Sequence, residues 1–310
     1  MLNSNNEFAT LLEGLKCTGV RQAGGLQIFD LKSQDPTQAV EYRTLDEAVA
    51  ENLITITEVS ADGRVPSLHV INRSTEKVFL MAGELLVGCK QDRVLNTSLM
   101  VPAQIEMDIP VTCVEAGRWG YRSQTFRSSG SSSHSTLRMA MLAQSHSHYR
   151  ARGMPGSDQS EVWQEVARKL GATQSHSATN TLDAVYQNYM NRLEAILSQM
   201  PVEPGANGAV FVLDGQIIGC DIFDKASTLK KLWPKLLKSY AIDALESSKD
   251  HYASLQPESV LAWLKAAVTV VPEKFESPGL GSDIRLQGDQ IVGAVLVVNQ
   301  HPVHVELFHK

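Results

Sequence analysis

Residues 208–223 read GAVFVLDGQIIGCDIF and residues 293–308 read GAVLVVNQHPVHVELF, and the two stretches align without a gap. Each contains two apolar runs on either side of a short turn, at Asp214-Gly215 or at Asn299-Gln300. Turn residues between apolar runs predict a β-hairpin. We therefore expect two duplicated β-hairpins that lie in one sheet and are related by approximate two-fold symmetry.

The rest of the chain separates into strand-rich and helix-rich parts. Residues 229–240 and 260–264 carry apolar side chains at helical spacing, and Pro234 predicts a kink or a split in the first of these helices. The N-terminal third has short alternating runs, such as 54–58 and 67–72, that predict antiparallel strands. The patterns together predict an α+β fold with an N-terminal β-rich, sandwich-like lobe, followed by a helical part whose sheet is built from the two hairpins.

A serine-rich segment predicts a boundary within the chain. Serine dominates residues 128–133, a composition that is typical of flexible loops and hinges. We predict a β-rich lobe at 1–122, an Arg/Ser-rich hinge or arm at 123–157 and an α+β lobe at 158–310. The last lobe either stands apart from 1–122 or packs with it as one unit.

The overall composition is that of a soluble protein. The 310 residues are 43% hydrophobic, and neither an apolar run of about 18 residues nor a secretory signal pattern is present. The four cysteines lack CxxC spacing, which argues against a zinc ribbon or a disulfide framework. We therefore expect a cytoplasmic protein with reduced thiols and no membrane partner. No motif for a cofactor occurs, so the sequence leaves the cofactor unknown.

Positive charge is concentrated in one segment of an acidic chain. The net charge is −6, yet residues 116–157 hold six arginines and no lysine or acidic residue. Guanidinium groups bind phosphate and carboxylate oxygens through two parallel hydrogen bonds. The segment is therefore either an anion-binding arm, able to contact an acidic protein or a nucleic acid, or a solvated linker.

Polar side chains are dense within the strand-forming residues between Ala82 and Trp119. Amide and guanidinium groups on one short segment can bind phosphate, ribose hydroxyls or a base edge. The predicted ligand-binding residues are Gln91, Arg93, Asn96, Arg118 and Trp119. The same groups could instead form an internal network that clamps one strand to the next. Residues 94–101 are expected to form a single strand within this block.

Five residues are candidates for catalysis: Glu84, Cys113, Glu115, Asp221 and Glu306. Cys113 would share a strand face with Glu115, but no histidine in the block could act as its base, which favours an inert packed thiol. Asp221 and Glu306 occupy equivalent positions in the two hairpins. Together with His304 they could bind a metal or act as general acid and base, or they could lie in water at a strand end.

Several motifs resemble the ARPP-1 family, the ARG and rhodanese-phosphatase-superfamily-associated proteins. They are AGELLVGCKQDR at 82–93, PVTCVE at 110–115, GRW at 117–119 and GLGSDIR at 279–285. The resemblance extends over nearly the whole chain. Because the family name records an association with ADP-ribosylglycohydrolase and phosphatase-like domains, it implies a link to ADP-ribose or related phosphorylated metabolites, without a defined activity. Asp92 departs from the family pattern, which has Asn there, and adds a negative charge.

Two functions follow as expectations. The first is binding, with or without hydrolysis, of a phosphorylated nucleotide-like metabolite, with Arg93 and Arg118 on phosphate and Gln91 and Asn96 on sugar or base. The second is a non-catalytic interaction module whose Arg/Ser-rich arm folds on an acidic protein or nucleic-acid partner. Whether the protein is an enzyme is left open by the sequence.

Overall fold

The computed structural model describes residues 3–33, 40–247 and 254–310. The helices are α1 (Asn3–Glu13), α2 (Leu45–Ala50), α3 (Ser135–Arg152), α4 (Gln159–Ala172), α5 (Asp183–Asn188), α6 (Met190–Gln199), α7 (Ala226–Glu246) and α8 (Pro257–Val268). The strands of the first part are β1 (Lys16–Ala23), β2 (Leu26–Lys32), β3 (Tyr42–Thr44), β4 (Ile54–Glu58), β5 (Ser67–Asn72), β6 (Lys77–Leu80), β7 (Glu84–Gly88), β8 (Arg93–Leu95), β9 (Leu99–Val101), β10 (Ile105–Cys113) and β11 (Phe126–Ser132). The remaining strands are β12 (Gly208–Leu213), β13 (Gln216–Phe223), β14 (Pro272–Glu276), β15 (Ser282–Gln287), β16 (Ile291–Val298) and β17 (His301–His309). None of the helices that these residues form is long and apolar enough to span a membrane.

The chain forms two compact units that alternate along the sequence. Unit 1 comprises Met1–Val40, Glu194–Ser277 and Gly281–Lys310, and unit 2 comprises Glu41–Leu193 and Pro278–Leu280. This division differs from the expected one, which placed boundaries after residues 122 and 157. The N-terminal hairpin β1–β2 belongs to unit 1 because β2 pairs along its length with β12, far along the chain. Helices and antiparallel sheets together make the fold α+β, as predicted.

The sheet of unit 1 has eight strands in the order β1-β2-β12-β13-β17-β16-β15-β14 within the described residues. Both quoted stretches form antiparallel hairpins, and β13 pairs with β17 at the centre of the sheet. Asp214, Gly215, Asn299 and Gln300 all have positive φ, as a two-residue hairpin turn of type I′ requires. The ladder is irregular at Phe211/Val212 in one hairpin and at Leu296/Val297 in the other, which are matching positions.

Helices cover the two faces of this sheet. Side chains of α1 and α8, including Leu12 and Leu264, belong to one apolar core with sheet residues such as Val210, Val295 and Val305. Burial of such side chains stabilises the unit by about 1.5–3 kcal/mol each. Helix α7 contacts β12, β13 and β2, and it continues through Pro234, so the expected split at this proline is wrong.

Unit 2 contains a six-stranded sheet, β11-β7-β8-β10-β5-β4, and a three-stranded sheet, β3-β6-β9, in the described residues. One apolar core joins them, with Leu68 and Leu86 from the larger sheet and Leu80 and Leu99 from the smaller one. The single strand expected at 94–101 is wrong. Its residues form β8 and β9 in different sheets because the chain turns between them.

The expected Arg/Ser-rich hinge at 123–157 is also wrong, because most of it is regular structure. Phe126–Ser132 forms β11, which pairs with β7, and Ser135–Arg152 forms α3. Serine content alone predicts flexibility, but Leu137, Met141 and Tyr149 recur at helical spacing and are buried. Helix α3 ends at Gly153, whose positive φ suits a helix C-terminus.

Candidate functional site

Arg118 is at the centre of an ion-pair network in unit 2. Its Nε lies 2.9 Å from Glu115 Oε1, and its Nη2 lies 2.6 Å from Glu115 Oε2 and 3.2 Å from Asp92 Oδ1. The side chains of Asp92 and Glu115 are 1% and 2% exposed. Arg118 also donates to the carbonyl oxygens of Gly88, Cys89 and Gly120. Its guanidinium donors are therefore engaged inside the protein.

The same carboxylates bind the backbone and two threonines. Asp92 N–H donates to Glu115 Oε2 at 2.9 Å, and Gly88 N–H donates to Asp92 Oδ1 at 3.1 Å. The hydroxyl of Thr179 donates to Glu115 at 2.6 Å, and that of Thr181 donates to Asp92 at 2.7 Å. These contacts connect three separate chain segments. They form an internal clamp, which was one of the two alternatives for the polar residues at 82–119.

Hydrogen bonding decides the charge state of Glu115. Burial opposes ionisation of this carboxyl, but the hydrogen bonds from Arg118, Thr179 and the Asp92 N–H outweigh burial and lower its pKa. Burial raises the pKa of Asp92, with a contribution from the charge of Glu115, and the hydrogen bond from Thr181 opposes the rise. Glu115 is therefore the more strongly ionised partner of Arg118.

Gln91, Arg93 and Trp119 adjoin this network. Arg93 is fully buried, its Nη1 donates to Gln91 O at 2.9 Å, and its Nη2 lies 3.8 Å from Glu58 Oε1. Gln91 Nε2 donates to the carbonyl oxygen of Glu115 at 2.8 Å. Trp119 is 52% exposed, and its ring centroid lies 5.9 Å from the Arg93 guanidinium carbon. The structure thus brings together four of the five predicted ligand-binding residues. The donors of Arg118 are engaged, whereas Arg93 forms hydrogen bonds through Nη1.

Two of the predicted catalytic residues in this block are buried in structural roles. Glu84 is fully buried and accepts a hydrogen bond from Met81 N–H at 2.8 Å. Cys113 is also fully buried, and burial raises the pKa of its thiol, with the charge of Arg93 opposing the rise. A raised pKa lowers the thiolate fraction, which fits the inert thiol favoured by the sequence.

Asn96, the fifth predicted ligand-binding residue, lies outside this network and lines a different cavity of unit 2. This cavity, named here the Asn96 cavity, has a volume of about 330 Å³. Asn96 is 4% exposed, and its Oδ1 accepts hydrogen bonds from Thr112 at 2.7 Å and Ser157 at 3.2 Å. Its Nδ2 donates to no other residue that the structure describes. Apolar walls come from residues such as Pro66, Pro110 and Met154.

Helix α3 contributes two further polar residues to the Asn96 cavity, His148 and Arg152. They are four residues apart, so they lie on the same helix face. Burial, together with the charge of Arg152, lowers the pKa of His148, so its imidazole is neutral at physiological pH. A Cβ added at Gly156 would lie 2.5 Å from His148 Nδ1, so glycine allows this loop to pack against the ring.

The motif block forms one wall of the Asn96 cavity through β10. Gln159 lines the cavity and bonds to Cys113 in both directions, accepting from its N–H at 3.0 Å and donating to its C=O at 2.7 Å. Sequence reasoning did not select Gln159 or Arg152 as site residues, and it placed His148 in a flexible segment. The four-residue spacing of His148 and Arg152 indicates a shared helix face. It has this meaning only when residues 135–152 are identified as a helix.

The model of the ARPP-1 family, described as the ARG and Rhodanese-Phosphatase-superfamily-associated Protein domain, matches residues 14–308. The chain belongs to this family. No curated protein and no solved structure matches the chain. In this ARPP-1 member, the Asp92 carboxylate accepts hydrogen bonds from Gly88 N–H, Thr181 and Arg118. The carboxylate of Asp92 therefore lies inside the clamp.

The candidates Asp221 and Glu306 lie together in unit 1 of this ARPP-1 chain. They are directly opposite each other on β13 and β17, at 0% and 3% exposure. The expectation of solvated acids at a strand end is wrong, because both strands are central in the sheet. His304 Nε2 lies 3.1 Å from Asp221 Oδ1. Within the described ranges, no group of three or more His, Cys, Asp or Glu side chains is arranged to hold a metal, so the metal-site alternative for these three residues is not supported.

A hydrogen bond from α7 stabilises Asp221. The hydroxyl of Tyr240 donates to Asp221 Oδ2 at 2.8 Å, and its ring stacks on Phe211 at a centroid distance of 3.7 Å. We expect Tyr240→Phe to lower the free energy of unfolding by about 1–3 kcal/mol, because the buried carboxylate loses a donor while the stacking remains. Urea denaturation would measure the change, with the exposed Tyr121→Phe as control. An unchanged stability of Tyr240→Phe would contradict this role.

Proposed function

We propose that this protein binds a small phosphorylated, nucleotide-like metabolite in the Asn96 cavity. The observation that carries the proposal is the buried Asn96 amide, whose Nδ2 has no acceptor among the described residues and which lines a cavity with Arg152. An amide donor on a cavity wall that has no protein acceptor can donate to a ligand or to a water molecule in that cavity.

The chemistry of the cavity suits such a ligand. Arg152 can bind phosphate oxygens, Asn96 can donate to a base edge or a sugar oxygen, and neutral His148 can donate or accept. Apolar walls with a few polar groups are typical of small-molecule sites, whose volumes are about 300–1,000 Å³. The cavity, at about 330 Å³, is near the lower limit of that range. It fits a nucleoside monophosphate or a phosphorylated sugar better than a whole ADP-ribose molecule.

The family description supports a phosphorylated metabolite as the ligand. The free cysteines support a cytoplasmic location for the protein. The ARPP-1 description names an association with ARG and phosphatase-superfamily proteins, which agrees with a phosphorylated metabolite. Cys17, Cys89, Cys113 and Cys220 are all free thiols. Free thiols persist in the reducing cytoplasm, so a cytoplasmic location is part of the proposal.

Binding is proposed in preference to hydrolysis. Among the lining residues, His148 offers a neutral imidazole that can accept a proton, whereas the catalytic candidates Glu84, Cys113 and Glu115 are buried in other contacts. The interaction module is the less favoured alternative. Two of the six arginines in its arm, Arg118 and Arg138, face the interior rather than a partner.

Calorimetric titration with adenosine monophosphate, ribose 5-phosphate and ADP-ribose tests the proposal. We expect Asn96→Asp to weaken binding about 10-fold or more, because the carboxylate still accepts from Thr112 and Ser157 but repels phosphate. Arg152→Met should weaken it by a similar factor. Arg150→Met, which removes an exposed charge from the same helix, is the matched control.

The outcomes of this titration separate the two functions. Loss of binding in Asn96→Asp and Arg152→Met, with binding kept in Arg150→Met, supports the proposed ligand site. Equal affinity in all variants, or no binding of any of the three compounds to the unmodified protein, contradicts it. Binding of a single-stranded oligonucleotide or of a polyglutamate peptide, without binding of the small compounds, favours the interaction module.

A further inference from the structure

A second cavity in unit 2 lies between the end of β7 and the segment 122–127. It has a volume of about 360 Å³ and is named here the Arg122 cavity. Its lining residues are Val87, Gly88, Arg122, Ser123, Thr125 and Arg127. These residues are distinct from those of the Asn96 cavity. Two of the six are arginines, so the lining carries two positive charges and no negative one.

The backbone of the Arg122 cavity is held in place by short-range contacts. Gly88 has a φ of +134°, and a Cβ added there would lie 2.5 Å from Ser123 Oγ. Ser123 Oγ accepts from Cys89 N–H at 3.0 Å and donates to Thr125 O at 2.8 Å. The N–H of Arg122 donates to Cys89 O at 2.8 Å. Glycine at position 88 therefore allows residues 122–127 to pack closely against the end of β7.

The two guanidinium groups are available to a ligand. Arg122 and Arg127 are both exposed, and neither side chain forms a hydrogen bond or a salt bridge with another residue that the structure describes. Arg118, a few residues away in sequence, differs because its donors are engaged in the clamp. The positive charges of Arg122 and Arg127 line the same cavity and repel each other. A bound anion would reduce that repulsion.

The charges of both arginines act on Asp183, with which neither forms a hydrogen bond or an ion pair among the described contacts. Burial, followed by the charge of Asp92, raises the pKa of Asp183 to about 6, and the charges of Arg127 and Arg122 oppose the rise. One carboxylate oxygen of Asp183, Oδ1, is buried and has no hydrogen-bond partner among the described residues. The positive charge of the pair therefore acts on Asp183 without a hydrogen bond between them in the described part of the chain.

We infer that the Arg122 cavity is a second ligand site, which takes a phosphate or diphosphate group between the guanidinium groups of Arg122 and Arg127. Guanidinium groups bind phosphate oxygens through parallel hydrogen bonds, and Thr125, a residue with a hydroxyl group, also lines the cavity. The inference does not depend on the function proposed for the Asn96 cavity, because no residue lines both.

Calorimetric titration of the full chain with inorganic phosphate, pyrophosphate and ribose 5-phosphate at low ionic strength tests the inference. We expect Arg122→Met and Arg127→Met each to weaken phosphate or pyrophosphate binding about 10-fold or more. Arg127→Lys should recover part of the loss, because it keeps the charge without the planar fork. Arg64→Met, at an exposed arginine outside both cavities, is the control for a general loss of charge. Thermal unfolding of each variant checks that it is folded.

The results also distinguish this site from the Asn96 cavity. Loss of inorganic phosphate binding in the Arg122 and Arg127 variants, with binding kept in Asn96→Asp, supports the second site. In the Asn96→Asp variant, where binding at the Asn96 cavity is weakened, pyrophosphate binding well above that of ribose 5-phosphate identifies a diphosphate as the preferred group of the Arg122 cavity. The reverse order identifies a phosphorylated organic molecule. Equal affinity of the unmodified protein and both methionine variants overturns the inference, whatever the Asn96 variants show.

Discussion

Replacing Arg118 with methionine is expected to lower the free energy of unfolding by about 3–5 kcal/mol, because it leaves two buried carboxylates without their cation. Asp92 and Glu115 are almost inaccessible to solvent, so water cannot replace the guanidinium. The carbonyl groups of Gly88, Cys89 and Gly120 lose a donor in the same change. Arg118 itself is 16% exposed, which favours the lower end of the range.

Urea denaturation at neutral pH measures this effect, and two variants serve as controls. Arg64→Met removes an exposed arginine and should change stability by less than about 0.5 kcal/mol. The triple variant Arg118→Met, Asp92→Asn, Glu115→Gln removes the uncompensated charge, so it should recover at least about 2 kcal/mol of the loss. A destabilisation of Arg118→Met no larger than that of Arg64→Met would show that the clamp contributes nothing to folding.

The polar density at 82–119 predicted the place of this network but not its role. Ligand binding and an internal clamp need the same amide, carboxylate and guanidinium groups, so the residue types do not distinguish them. The decisive partners, Thr179 and Thr181, are more than 60 residues away from Glu115 and Asp92 in sequence. The partners of Asp92 and Glu115 therefore depend on long-range packing that the local sequence pattern does not contain.

The same distinction between local and long-range structure applies to the fold. The two hairpins were predicted because each is encoded within a few residues. The pairing of β2 with β12 was not, since it joins residues 26–31 to 208–213. The helix α3 was missed for a different reason. Serine is frequent in and before this segment, and serine-rich sequence predicts a flexible loop. The buried residues Leu137, Met141 and Tyr149 nevertheless have the spacing of one helix face.

Asp183→Asn is expected to stabilise the protein by about 2 kcal/mol at pH 8 and by much less near pH 4. Burial and the charge of Asp92 raise the pKa of Asp183 from 3.8 to about 6 in the folded state. The unfolded chain therefore loses this proton first, and ionisation of Asp183 opposes folding progressively as the pH rises from about 4 to about 6. Above about pH 6 the penalty is constant, and below about pH 4 it is absent because both states are protonated.

A shift of about two pKa units corresponds to roughly 3 kcal/mol. The loss of the carboxylate at the start of α5 subtracts about 0.5–1 kcal/mol from that gain. Asparagine keeps the shape of the side chain and its capacity to bond to Gln187. Urea denaturation at both pH values measures the difference, with the exposed Asp62→Asn as the matched control. A stability gain that is the same at both pH values, or a loss at pH 8, would contradict an ionisation penalty at Asp183, because only such a penalty disappears when the acid is protonated in both states.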